Sequence, residues 1–194
     1  MKRIKLNDKI FKPIISTPEI EQAVRNIAAG LNEKYKYELT PVRFVVVLNG
    51  AMPFAMNLFT KLKFPVELDT VKLSSYEGIT RKNLKLDKSV SLKEYDKKKV
   101  IIVEDIIDTG HTIDYLKDDF KSMGCNDITI VSLFIKPEIY RKKHPDFNQW
   151  ELINGESKDN MIIGISISDM FIVGYGLDYN ELGRNLNKIY ALES

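Results

Sequence analysis

Lys99-Val-Ile-Ile-Val-Glu-Asp-Ile-Ile-Asp-Thr-Gly-His-Thr112 is the stretch from which the fold is read. After the lysine, Val100 to Val103 form a short, continuous apolar run, the pattern of a strand buried on both faces. Acids and a Gly-containing turn follow, and then Ile113, Leu116, Phe120 and Met123 recur at helical spacing until Gly124 stops the helix. Strand, polar turn and helix in that order make one unit of a parallel α/β sheet. Working outward, Ile128 to Ile135 reads as the next strand. On the N-terminal side, Phe44 to Leu48 is a strand ended by Asn49-Gly50, with a helix through Phe54, Leu58 and Leu62 and a further strand from Val66 to Leu73. A helix starts at Ser16, where an N-cap residue, an early Pro and acidic first-turn residues precede Ile20, Val24, Ile27, Ala28 and Leu31. The expected fold is α/β, a mostly parallel twisted sheet flanked by helices with right-handed connections.

The remaining segments do not continue this alternation. Ser74 to Lys88 is too hydrophilic and Gly-interrupted for core and reads as a long loop. Beyond Pro137, Trp150 to Glu156 suggests a hairpin turning at Asn154-Gly155, with strand-like runs at Ile162 to Ile167 and Phe171 to Tyr175. One domain over residues 1–194 is expected, with a core over about 38–140 and a small hood from about 1–15 and 145–194.

Composition narrows the function classes. Lys and Arg number 29 and Asp and Glu 27, so the formal charge is 29 − 27 = +2, which argues against a dedicated nucleic-acid binder. Cys125 is the single cysteine, so no intramolecular disulfide can form and a reducing, cytoplasmic location is expected. The charged start Met1-Lys-Arg-Ile-Lys-Leu-Asn-Asp8 does not read as a signal peptide, and no apolar run suggests a membrane span. With one Cys and only His111 and His144, a soft-ligand zinc site is disfavoured; a participating metal should be a hard, oxygen-bound ion.

In open α/β sheets ligands bind beyond the carboxyl ends of the strands, so the residues after Val103 carry the functional reading. Glu104 and Asp105 should place one carboxylate on each side of the strand path, a costly arrangement near a core unless something binds there. Backbone N–H groups at the helix start, close approach at Gly110 and the hydroxyls of Thr109 and Thr112 form a pocket for a phosphate monoester. Carboxylates that accept from vicinal hydroxyls, beside a turn that grips a phosphate, suit a phosphorylated sugar. The Asp-Thr-Gly turn alone is common, and no Gly-x-x-x-x-Gly-Lys loop is present.

Residues 100–112 resemble the phosphoribosyl pyrophosphate (PRPP) motif of type I phosphoribosyltransferases, in the form carried by the hypoxanthine-guanine branch. Leu48-Asn49-Gly50-Ala51 is similar to that family's pyrophosphate loop, and Ser75-Tyr76 to the pair that opens its flexible catalytic loop. The run from Phe171 through Asp178 to Arg184 resembles its purine and pyrophosphate segment. The resemblance implies transfer of phosphoribose from PRPP to a 6-oxopurine with Mg²⁺ as cofactor, in a homodimer or homotetramer that binds neither nucleic acid nor membrane. It implies that Glu104 and Asp105 hold the ribose hydroxyls and the metal, and that Asp108, Thr109, Gly110, His111 and Thr112 bind the 5′-phosphate. Asp108 is the implied general base toward purine N7. Asn49, Gly50 and Arg184 meet pyrophosphate, Ser75 and Tyr76 close over the reacting centre, and Lys136 donates to the 6-oxo group. Phe171 stacks on the base, Ile172 offers backbone groups to its edge, and Asp178 reaches the metal through water.

Each assignment has a plainer alternative. Lys136 could be a solvated strand end, Phe171 a core residue, and Asp178 with Arg184 an exposed pair worth little to stability. Lys82, Lys85 and Lys88 read as a solvated loop. The sequence departs from the family at His111 and Asn49, where lysines are frequent, at Ser74, where a basic residue often lies, and in the added length around Asn154-Gly155. Two other functions fit the phosphate turn: a non-catalytic PRPP-sensing regulator that binds nucleic acid, and transfer to another base such as orotate or uracil. The expected basic face is missing from the sequence for the first, and Lys136 with Phe171 to Asp178 argues against the second.

Overall fold

In the computed structural model, the structure describes residues 2–75, 84–86, 95–148 and 160–193. Fourteen elements follow in chain order: β1 (Ile4–Leu6), β2 (Lys9–Ile15), α1 (Thr17–Lys34), β3 (Val42–Leu48), α2 (Met52–Phe59), β4 (Val66–Ser75), β5 (Leu84–Leu86), β6 (Lys99–Ile107), α3 (His111–Ser122), β7 (Asp127–Ile135), α4 (Pro137–Lys143), β8 (Met161–Ser166), β9 (Ile172–Val173) and β10 (Ile189–Leu192). A six-stranded sheet has the order β5-β4-β3-β6-β7-β8. Strands β4, β3, β6, β7 and β8 run parallel, and β5 pairs antiparallel with the end of β4. A second, antiparallel sheet of order β1-β2-β10-β9 joins the two ends of the chain.

The parallel strands are apolar because both faces are covered. Phe44, Val46, Ile101 and Val103 pack with Ile20, Val24, Ile27 and Leu31 of α1 and Phe54 and Leu58 of α2. The alternate residues Val45, Val47, Val100 and Ile102 pack with Ile113, Leu116 and Phe120 of α3 and Tyr140 of α4. Full burial of each such side chain contributes about 1.5–3 kcal/mol as an upper bound. The α1 start follows from its sequence: Glu19 accepts hydrogen bonds from the Ser16 N–H at 2.8 Å and the Ser16 hydroxyl at 2.6 Å. Ile172, Leu177, Ile189 and Ala191 belong to the same apolar cluster as α1, so the small sheet is seated on the α1 side of the large one.

Several sequence expectations need correction. Strand β6 continues beyond Val103 to Ile107, so the two acids lie inside the strand rather than after it. Leu62 lies outside α2, which ends at Phe59. Leu84–Leu86 of the expected Ser74 to Lys88 loop is strand β5, held by pairing to Leu73, Ser74 and Ser75. The run Phe171 to Tyr175 narrows to the two residues of β9, because Gly174 leaves extended geometry at φ +107°. Helix α4 and strands β1, β2 and β10 are too short or too weakly periodic to have been read individually. The Asn154-Gly155 hairpin, Tyr76, Lys82 and Lys88 lie outside the described residues.

Candidate active site

The site is built at the carboxyl ends of β3, β6 and β7. β6 delivers Glu104, which is buried, and Asp105 beside it. The two carboxyls are hydrogen-bonded neighbours, against the expectation that they point to opposite sides of the strand. The ladder explains the difference: Glu104 is in register with Ser132 and Ile106 with Phe134, but no pairing joins Asp105 to Leu133. Strict alternation is therefore interrupted at Asp105. Burial first, and then the Asp105 charge, push the Glu104 carboxyl well above the usual range. Burial also raises Asp105, opposed by hydrogen bonds from Glu104 and the Ile106 N–H and by the Arg184 charge. Among the described residues, the buried Oε2 of Glu104 has no hydrogen-bond partner. An acceptor left so costs about 1–3 kcal/mol, which a hydroxyl or cation bound there would relieve.

Beyond β6 the chain turns into α3. Gly110 caps the helix at φ +81°, a left-handed conformation that disfavours other residues. A β-carbon there would stand 2.9 Å from His144 Nε2 and collide with the Tyr140 ring. Tyr140 and His144 are themselves stacked at 4.1 Å between ring centroids, and His144 Nε2 lies 3.3 Å from Asp114 in the first turn of α3. The turn thus rests on α4. Thr109 Oγ1 and His111 Nδ1 are 2.6 Å apart. Glu104, residues 106–113 and the first N–H groups of α3 surround a recess of about 80 Å³. Its size and N–H lining suit one phosphate group.

The loop after β3 reaches the same place from the other side. The Leu48–Asn49 peptide is cis, Asn49 is exposed and Gly50 is buried against the Asp105 carboxylate. Gly176 abuts the Gly50 carbonyl, and the Gly176 and Arg184 backbones are paired by an N–H to carbonyl bond of 2.9 Å. That packing carries Arg184 toward the acids. Its guanidinium donates to the Gly176 carbonyl at 2.9 Å and pairs with Asp178 at 2.8 Å and Glu181 at 3.2 Å. The Asp178 carboxylate also accepts from the Glu181 N–H at 2.8 Å.

Lys136 is buried rather than a solvated strand end, with Nζ 3.4 Å from Asp108 and 3.1 Å from Asp169. Phe171 is 47% exposed and so is not core, whereas Ile172 and Val173 after it are buried. Behind Phe171 stand Phe11 of β2 at 6.4 Å and Tyr179 at 5.9 Å between centroids. Ser75 ends β4. No helix among the described residues is long and apolar enough to cross a membrane.

The profile of the phosphoribosyl transferase domain matches residues 12–180. The chain belongs to the phosphoribosyltransferase family. Within it, the hypoxanthine-guanine phosphoribosyltransferase of Streptococcus pyogenes is 34% identical over 190 residues, covering 97% of this chain and 96% of the relative. The Bacillus subtilis enzyme of the same name is 32% identical over 188 residues, covering 95% and 94%. The crystal structure of a Bacillus anthracis hypoxanthine-guanine phosphoribosyltransferase superposes with a TM-score of 0.77 at 30% identity, covering 94% of this chain and 98% of that one. The phosphoribosyltransferase sheet and hood are thus shared over nearly the whole chain.

Four residues of this phosphoribosyltransferase site escaped the sequence reading. They are Asp169 beside Lys136, Tyr140 and His144 behind Gly110, and Phe11 behind Phe171. Only the position of Asp169 directly upstream of the Phe171 segment could have signalled it.

Proposed function

We propose that the chain transfers the 5-phosphoribosyl group of PRPP to N9 of a 6-oxopurine, hypoxanthine, guanine or xanthine, in purine salvage. The supporting observation is the buried Glu104, with the half-buried Asp105 beside it, at a phosphate-sized recess. A 5′-phosphate in the recess sets the ribose over the two acids, whose oxygens accept its hydroxyls. The bond from C1′ to the pyrophosphate oxygen breaks with its electron pair, and the N9 to C1′ bond forms. Positive charge that grows on the ribose ring is stabilised by the adjacent carboxylates. Asp108 takes the N7 proton, Lys136 donates to the 6-oxo oxygen, and Phe171 stacks on the base with Ile172 backbone groups at its edge. An amino group at that position of the purine cannot accept from Lys136, hence the oxo preference. Asp108 to Thr112 hold the phosphate, and Asn49, Gly50 and Arg184 hold the pyrophosphate.

The donor set fits a hard divalent cation: Glu104 has a buried oxygen without a partner, and Asp105 stands beside it. Glu104 and Asp105 would hold Mg²⁺, with Asp178 through water, and the ion would supply charge neutralisation of the pyrophosphate. Among the described residues no three His, Cys, Asp or Glu side chains gather as a metal site, and substrate and water oxygens would complete the coordination. A cytoplasmic homodimer or homotetramer completes this reading, and light scattering on the purified protein checks the assembly.

The deciding experiment mixes protein, Mg²⁺ and PRPP with each base and follows ultraviolet absorbance. Nucleoside monophosphate should form with at least one oxopurine. No product from any of the three overturns the proposal.

A further inference from the structure

Lys136 is the only buried lysine among the described residues, and the structure gives it two carboxylates rather than one. Asp169 Oδ1 stands 3.1 Å from Nζ and Asp108 Oδ2 stands 3.4 Å away. The two acids come from different places. Asp108 follows β6, whereas Asp169 lies in the bend between β8 and β9, two residues before Phe171. The bend is held by its backbone: the Ile167 N–H donates to the Ile135 carbonyl at 2.9 Å, and the Met170 N–H to the Ser168 carbonyl at 2.8 Å. Beyond it, the Leu192 N–H donates to the Phe171 carbonyl at 2.9 Å. Asp169 therefore spans the gap between the end of β7 and the segment that presents Phe171.

We infer that Asp169 is a positioning residue, which holds the Lys136 ammonium toward the base while Asp108 exchanges its proton. This rests on the function proposed above. An ammonium has three donors in tetrahedral array. With one directed to Asp108 and one to Asp169, its rotation is set and the third is directed elsewhere, available to a 6-oxo oxygen. When Asp108 accepts the proton from N7 it becomes neutral, and its attraction for Lys136 falls. A buried ammonium with no other partner would then bear an uncompensated desolvation cost at the moment of reaction. Asp169 stays beside the ammonium through that step, because it takes no part in the transfer and contacts Nζ from the other segment at 3.1 Å. Two carboxylates around one cation thus divide the work: Asp108 handles the proton and Asp169 retains the lysine.

The test compares wild type, Asp169→Asn and Asp169→Glu. Asp169→Asn should lower kcat/KM for hypoxanthine by roughly ten- to a hundredfold, the scale of a misplaced contact group, with KM for PRPP within twofold of wild type. Asp169→Glu should recover most of the loss. Equal damage to PRPP and purine parameters, no recovery by Glu, or an unchanged Asn variant overturns the inference. A readout that needs no turnover is the acylation rate of Lys136, followed by peptide mass spectrometry. It should rise several-fold in Asp169→Asn, because the amine, held by one partner instead of two, is freer to reach the reagent. An unchanged labelling rate overturns the contact itself. Wild type that labels as expected but turns over no oxopurine instead refutes the function and the positioning role that depends on it.

Discussion

Gly50 lies against the Asp105 carboxylate with no room for a β-carbon between them. The loop after β3 and the acids of β6 are therefore one packed unit, although they are far apart in sequence. Gly176 abuts the Gly50 carbonyl from the other side, which brings the Arg184 segment into the same unit. Gly50→Ala should displace Asp105 and destabilise the protein by about 1–3 kcal/mol, as overpacking does. At about 2–4 °C per kcal/mol for a chain of this size, the fall is visible in a thermal melt. Turnover should fall by more than tenfold, and a variant that keeps both wild-type Tm and wild-type rate would contradict the geometry.

The buried acid pair makes stability depend on pH in a specific direction. Burial, with the Asp105 charge acting on Glu104, raises both carboxyls in the folded chain above their ordinary values. The folded state therefore binds protons that the unfolded state has released, and its stability decreases as pH rises from the ordinary carboxylate range through the raised values. Without substrate or metal, Tm should decline over that interval. Glu104→Gln should flatten the decline and raise Tm at neutral pH, while it abolishes turnover. A Tm profile identical to wild type would show that Glu104 is not held in this way.

Asp108 is half-exposed at 48% of its side chain, and in reach of both the recess and Lys136. Asp108→Asn preserves shape but cannot take a proton. Its kcat should fall by roughly 10²–10⁴, the usual contribution of a general base, with KM for PRPP little altered. Steady-state kinetics at saturating PRPP decide this, and undiminished kcat would remove Asp108 as the base.

Phe11 and Phe171 are neighbours with opposite burdens. Phe11 is fully buried, so Phe11→Ala should cost about 3–5 kcal/mol of stability. Phe171 is about half exposed, so Phe171→Ala should cost less stability but raise KM for the purine. Melts and purine saturation curves on both variants separate the roles. If Phe171→Ala left the purine KM unchanged, the stacking assignment would fall.

Most of the parallel sheet was legible because its strands are covered on both faces and so read as continuous apolar runs, as in Phe44 to Leu48 and Ile128 to Ile135. The turn from Asp108 to Gly110 was legible for a local reason too: its residues are consecutive, with a strand before them and a helix after. Strands β1, β2 and β10 were not, because short strands of a hood draw stability from partners at the other end of the chain. Phe11 pairs with Ile4 and Leu192, and no local period announces that.

By itself, then, the sequence determined the βα alternation, the acidic run and Gly-containing turn from Glu104 to Thr112, and the residue types of the Phe171 to Arg184 segment. Tertiary structure alone decided that Glu104 and Asp105 meet as a pair, that Gly50 and Gly176 must lack side chains, and that Lys136 is shared by Asp108 and Asp169. The physical reason is range. Periodicity and turn chemistry act over a few residues, whereas desolvation, close packing and charge pairing depend on which distant segments are brought within a few ångströms.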